Sequence, residues 1–314
     1  MTFPRLVLLL VFGCSSASAQ RTFDTDILTE TFGFDDSTKK TVELSALQQG
    51  CSARDCIQSI DTPKYVSAEN ASHLTDEDIV VTLSLGGEYR AYPTRILDHH
   101  EIVNDTIAGE PIAITWCPLC GSAVGIHRQV GDQVTEFGVA GVLYNSDLVF
   151  YDRATETLWD QIEAKGIVGP MTDEQLRLIP VSMTQWGRWR AAHPDTLVLS
   201  EDTGFEEDYS EDHYVDYRDS TRLFMPVSHS DDRIHPKTPV YGFSLDDGPV
   251  AFAAALLDDG ADYTHELNGA EWLLRADEGG TVTLQKAGAD TAYAPIRVFW
   301  FAWYTFHPQT ELVR

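Results

Sequence analysis

Residues 111–128 read PIAITWCPLCGSAVGIHR, and their apolar positions fall at every second place. Ile112, Ile114 and Trp116 alternate with smaller residues, the period expected of a half-buried strand, and Val124 and Ile126 resume it after a break. The break, Cys117-Pro118-Leu119-Cys120-Gly121, is short enough to be only a tight turn. Pro118 presets its own φ and Gly121 can take a positive one. The pattern therefore predicts a hairpin with two thiols at its tip. Backbone N–H groups of such a turn are expected to face the first sulfur and favour its thiolate.

The same reading extends along the chain. Ile79–Leu85, the turn Gly86-Gly87 and the run Tyr89-Arg90-Ala91-Tyr92 predict a second hairpin. Pro93 can open a short helix, Thr94–His100, with Ile96 and Leu97 facing inward. Strands are expected around 134–139 and 148–152, and a helix over 184–192. Residues 201–219 are acidic and tyrosine-rich without calcium-loop spacing, and read as a long surface loop.

Two runs echo each other. Trp186-x2-Trp189-x3-His193-Pro194-x-Thr196 returns as Trp300-x2-Trp303-x3-His307-Pro308-x-Thr310, and residues 80–97 align without gaps on 240–257. His100-Glu101-Ile102 is echoed by His265-Glu266-Leu267, whereas the cysteine hairpin has no counterpart. The expected fold is α+β: mostly antiparallel β with short covering helices, two degenerate internal repeats in one compact unit. Its expected divisions are a signal peptide at 1–19, a polar N-terminal segment at 20–64, a first half at 65–200 carrying the Cys-x-x-Cys hairpin, and a second, degenerate half at 201–314.

Charge narrows the partners. Across 314 residues, 22 Lys and Arg stand against 49 Asp and Glu, a net charge of −27. A nucleic-acid-binding protein needs a basic face, so nucleic acid is excluded as a partner. A hydrophobic share of 43% is that of a globular chain. At the start, Arg5 precedes the apolar run 6–12 and then Ala17-Ser18-Ala19, a secretory signal with cleavage after Ala19 and a periplasmic or secreted product. The alternative is a lipoprotein box, Val11-Phe12-Gly13-Cys14-Ser15, which would anchor the protein to a membrane through Cys14. An oxidising compartment follows either way. Cys51 and Cys56 are then expected to close a small disulfide loop, with a contribution of this pair to a shared zinc site as the alternative.

The candidate chemistry is short. Cys117 and Cys120 supply sulfur, His100 is the nitrogen candidate, and Tyr144, Asn145, Asp152 and Trp159 are candidates to line a pocket. Three readings stay open. The first is a transition-metal site for copper or zinc, held by Cys117, Cys120 and His100. The second is a periplasmic thiol–disulfide redox protein cycling Cys117 and Cys120. The third is a structural or interaction domain with a permanent disulfide at that pair. There is no Gly-x-Ser-x-Gly elbow and no Gly-rich phosphate loop, so neither a serine hydrolase nor a nucleotide cofactor is indicated. The expected partner is a small ligand or a metal ion.

Further stretches carry a resemblance: Ala91-Tyr92-Pro93, His100-Glu101-Ile102-Val103-Asn104-Asp105, Cys117-Pro118-Leu119-Cys120-Gly121, Leu143-Tyr144-Asn145-Ser146, Tyr151-Asp152-Arg153 and Leu158-Trp159. With 186–196 and 299–312, they make the chain similar to the exported bacterial and archaeal family known as domain of unknown function 3179. The resemblance covers the region from about Cys51 to the C terminus. It implies export and assigns no activity.

Overall fold

Alternating runs joined by glycine turns become hairpins throughout the computed structural model, which describes residues 27–258 and 260–314. The expected signal peptide, the Ala19 cleavage site and Cys14 lie outside the described residues. Ile79–Leu85 pairs with Glu88–Pro93 across Gly86 and Gly87, at φ 59° and 82°, values that glycine adopts without strain. Ile102–Ile107, Glu110–Cys117 and Ser122–His127 form a meander with Cys117 opposite Ser122.

The α+β expectation is corrected. The protein is mostly β, arranged as a five-blade propeller rather than as two repeats with covering helices. One blade, here the cysteine blade, is the meander just described, with Leu178–Ile179 added beside Ser122–His127. The aspartate blade contains Leu47–Gln49, Phe137–Tyr144, Asp147–Asp152, Leu158–Asp160 and Lys165–Val168. Two tryptophan blades are built on the hairpins Ile79–Leu85/Glu88–Pro93 and Pro239–Leu245/Gly248–Ala253. The fifth is a plain meander, Tyr263–Leu267, Ala270–Ala276, Val282–Lys286 and Ala292–Tyr293. Sheets that bury both faces against other sheets leave helices no layer to cover. Thr94–His100, Trp186–Ala192 and Trp300–Phe306 are accordingly caps of 7 residues each at strand ends.

The sequence echo relates two blades, not two halves of the molecule. In each tryptophan blade an antiparallel strand joins the first hairpin strand and a parallel strand joins the second. The Trp189 indole donates to the Thr196 hydroxyl at 3.0 Å, and the Trp303 indole to that of Thr310 at 2.9 Å. The His-Glu echo does not carry through: His100 ends a helix, whereas His265 lies within a strand and reaches Glu311 at 3.3 Å.

Ahead of the blades, Ile27, Leu28, Phe32 and Phe34 are buried against the aspartate blade, and Cys51 and Cys56 form a disulfide. Residues 201–219 are mostly loop, ending in the helix Val215–Asp219. Lys237 holds the end of that helix. Its ammonium donates to the carbonyls of Tyr217 at 2.6 Å and Arg222 at 2.7 Å, and also to that of Ser220. Among the described residues no helix is long and apolar enough to cross a membrane.

Candidate metal centre

Three blades meet at the cysteine turn: its own, the aspartate blade and the tryptophan blade that holds Phe299. Gly121 takes φ +58°, and a Cβ there would stand 2.7 Å from the Phe299 ring, so both the conformation and the space call for glycine. The Cys120 amide donates to the Cys117 carbonyl at 3.2 Å, and the Phe299 amide donates to the Cys120 carbonyl at 2.7 Å. These bonds set both cysteines in the core, where they stand as free thiols. Across from them, Asn145 and Ser146 make a turn at φ 53° and 65°, and Asp147 opens the strand that follows. The Cys120 thiol donates to the Ser146 carbonyl at 3.3 Å.

The two Sγ atoms and a carboxylate oxygen of Asp147 lie within 4.8 Å of one another, and all three residues are buried. Asp147 Oδ2 accepts from the Ile162 amide at 3.1 Å. Its Oδ1 is buried without a hydrogen-bond partner among the described residues. A buried polar atom in that condition costs about 1–3 kcal/mol.

Burial governs the electrostatics. Desolvation raises the Cys117 thiol and pushes that of Cys120 well above its ordinary value, outweighing the backbone bond that favours the Cys117 thiolate. The expected thiolate-promoting turn is therefore corrected: removal from water is the larger effect. Asp147 and Asp160 are both raised, first by burial and then, for Asp160, by the charge of Asp147. Glu101 is pushed up to about 8 by burial, with Asp98 and Asp147 adding to it. Burial thus disfavours the charged form of every acid in this set. Tyr214 and Tyr217 pack over the same core, and burial raises both phenols.

His100, expected beside the thiols, stands outside this cluster. Its Nδ1 donates to the Gln58 carbonyl at 2.8 Å, and its Nε2 shares a hydrogen bond of 2.7 Å with the Tyr209 hydroxyl. Both ring nitrogens are engaged, and the oxygen that stands with the two thiols is that of Asp147. Of the pocket candidates, Asn145 borders the cluster: its Oδ1 accepts from the Ser228 amide at 2.8 Å and fixes the turn before Asp147. Asp152 accepts from the Thr155 amide at 2.6 Å and the Trp159 indole at 3.0 Å, so this pair closes a hairpin turn. Tyr144 packs edge-on to Phe306. The missed residue, Asp147, had one signal: a carboxylate opening the apolar run Leu148-Val149-Phe150-Tyr151.

Fold and site together define a mostly β propeller with a buried thiol–carboxylate cluster between two blades. The chain belongs to the family described as protein of unknown function (DUF3179), whose model matches residues 54–294 and so includes all three cluster residues. No curated protein and no solved structure matches it.

Proposed function

We propose that Cys117, Cys120 and Asp147 bind a transition-metal ion, zinc in preference to copper(I), in a protein exported to an oxidising compartment. The observation that carries this reading is the convergence of an Asp147 carboxylate oxygen and two free, buried thiols within 4.8 Å of one another. A divalent ion would take up that oxygen, replace the two thiol protons, and compensate the carboxylates of Asp147 and Asp160. Two sulfurs suit either metal, whereas a carboxylate oxygen is a hard ligand that zinc accepts more readily. The Cys51–Cys56 disulfide supports the oxidising compartment.

The test is metal content of the exported protein, with its intact mass. About one zinc per chain is expected, lost in Cys117→Ser/Cys120→Ser and weakened at least about tenfold in Asp147→Asn, with His100→Ala unchanged. An N terminus at Gln20 supports soluble export, and a lipidated Cys14 replaces it with a membrane anchor. Unchanged stoichiometry in the double variant sinks the metal reading. Metal-free protein whose two thiols oxidise and reduce reversibly would put a redox pair in its place.

A further inference from the structure

A second feature lies against the same turn. A cleft of about 480 Å³ is bordered by Trp116, Pro118, Met183 and Phe299, and Arg95, Asp98 and Arg297 also face it. That volume is in the range of small-molecule sites, roughly 300–1,000 Å³. Neither cysteine lines it, nor does any of the four pocket candidates read from the sequence.

The arginines distinguish this cleft. In so acidic a chain an arginine readily finds a carboxylate, as Arg54 does with Glu156, Arg90 with Glu88, Arg153 with Asp61 and Arg190 with Asp76. Arg297 does not. Among the described residues no carboxylate pairs with it; its guanidinium stands 4.0 Å from the Met183 sulfur and near Tyr241. Among the described residues Arg95 donates only to backbone, to the Tyr209 carbonyl at 2.9 Å and the His73 carbonyl at 2.7 Å. Burial disfavours the charge on Arg297 with only Tyr241 opposing it, the condition of a cation that lacks its counter-ion.

Three of the cleft's acids already have partners within it. Asp212 is paired with Arg218, Asp78 accepts from the Thr75 amide at 2.7 Å, and Asp98 accepts from the Trp116 indole at 2.7 Å. We infer that the cleft binds a small organic monocarboxylate, its head on Arg297 and its apolar body against Trp116, Met183 and Phe299. A guanidinium fork matches a carboxylate with two parallel bonds. The cleft's acidic residues, Glu211 among them, would repel a dianion such as a phosphate monoester more strongly than a monoanion. The inference is independent of the metal reading, since neither cysteine borders the cleft.

The full chain would be titrated with acetate, butyrate, benzoate and phenylacetate, and with the primary amide of each, following the Trp116 indole and Met183 methyl signals by NMR. At least one carboxylate is expected to saturate and to bind at least about tenfold more tightly than its amide. Arg297→Gln should remove that preference, and Arg297→Lys should keep part of it. Should Arg297→Gln fail to fold, the acid–amide comparison on the unaltered protein decides alone. No saturable carboxylate, an amide that binds equally well, or an undiminished preference in folded Arg297→Gln would overturn the inference.

Discussion

Asp98 accepts the Trp116 indole hydrogen at 2.7 Å, and burial still pushes its carboxyl up from 3.8 to about 6. The folded state therefore binds the proton more tightly than the unfolded chain does. Stability from this group is full below 3.8 and is lost as pH rises through about 6. Asp98→Asn keeps an acceptor for the indole and removes the titration. Across that window the wild-type protein should lose about 2 kcal/mol relative to the variant, read as melting temperature against pH. Parallel curves would show that Asp98 does not titrate on folding. At this scale the thiols and Gly121 were legible, because the turn they make is local. His100 was not. A histidine beside a carboxylate says nothing of where its nitrogens go, and here they are taken by Gln58 and Tyr209, 42 and 109 residues away.

Hairpins and caps were largely readable, since a strand's alternation and a helix's opening proline are properties of neighbours. Ile79–Leu85 and Thr94–His100 lie where the pattern puts them. The Trp-x6-Thr units show how a short element is secured from within. The indoles of Trp189 and Trp303 are buried, and each N–H has the threonine hydroxyl of its own blade as partner. Thr196→Val and Thr310→Val should each cost about 1–3 kcal/mol in urea unfolding, while serine at either place restores most of it. If valine costs nothing at either site, the bonds are not what holds the caps.

Charge acts on the whole molecule. A net −27 over 314 residues repels itself in the folded state, and added salt screens that repulsion. Melting temperature should rise by several degrees between low salt and about 0.5 M sodium chloride, where the screening length falls to a few ångströms. A flat or falling curve would mean that local ion pairs such as Arg153–Asp61 outweigh the global term. The blade count is also a property of this scale. Ser182–Gln185 joins Ile79–Leu85 and Ile296–Phe299 joins Pro239–Leu245, pairings that no period within a short window announces.

From the sequence alone came the strands and turns, the paired thiols, the Cys51–Cys56 loop, the acidic surface and the family, because each is written in residues close together or in composition. Tertiary structure alone decided that the sheets stack as five blades, that Asp147 rather than His100 stands beside the thiols, and that Arg297 faces a cleft with no carboxylate partner among the described residues. Those outcomes depend on desolvation and on hydrogen bonds between distant segments. Both are set by which surfaces are pressed together when the sheets pack, and a linear pattern carries no record of that.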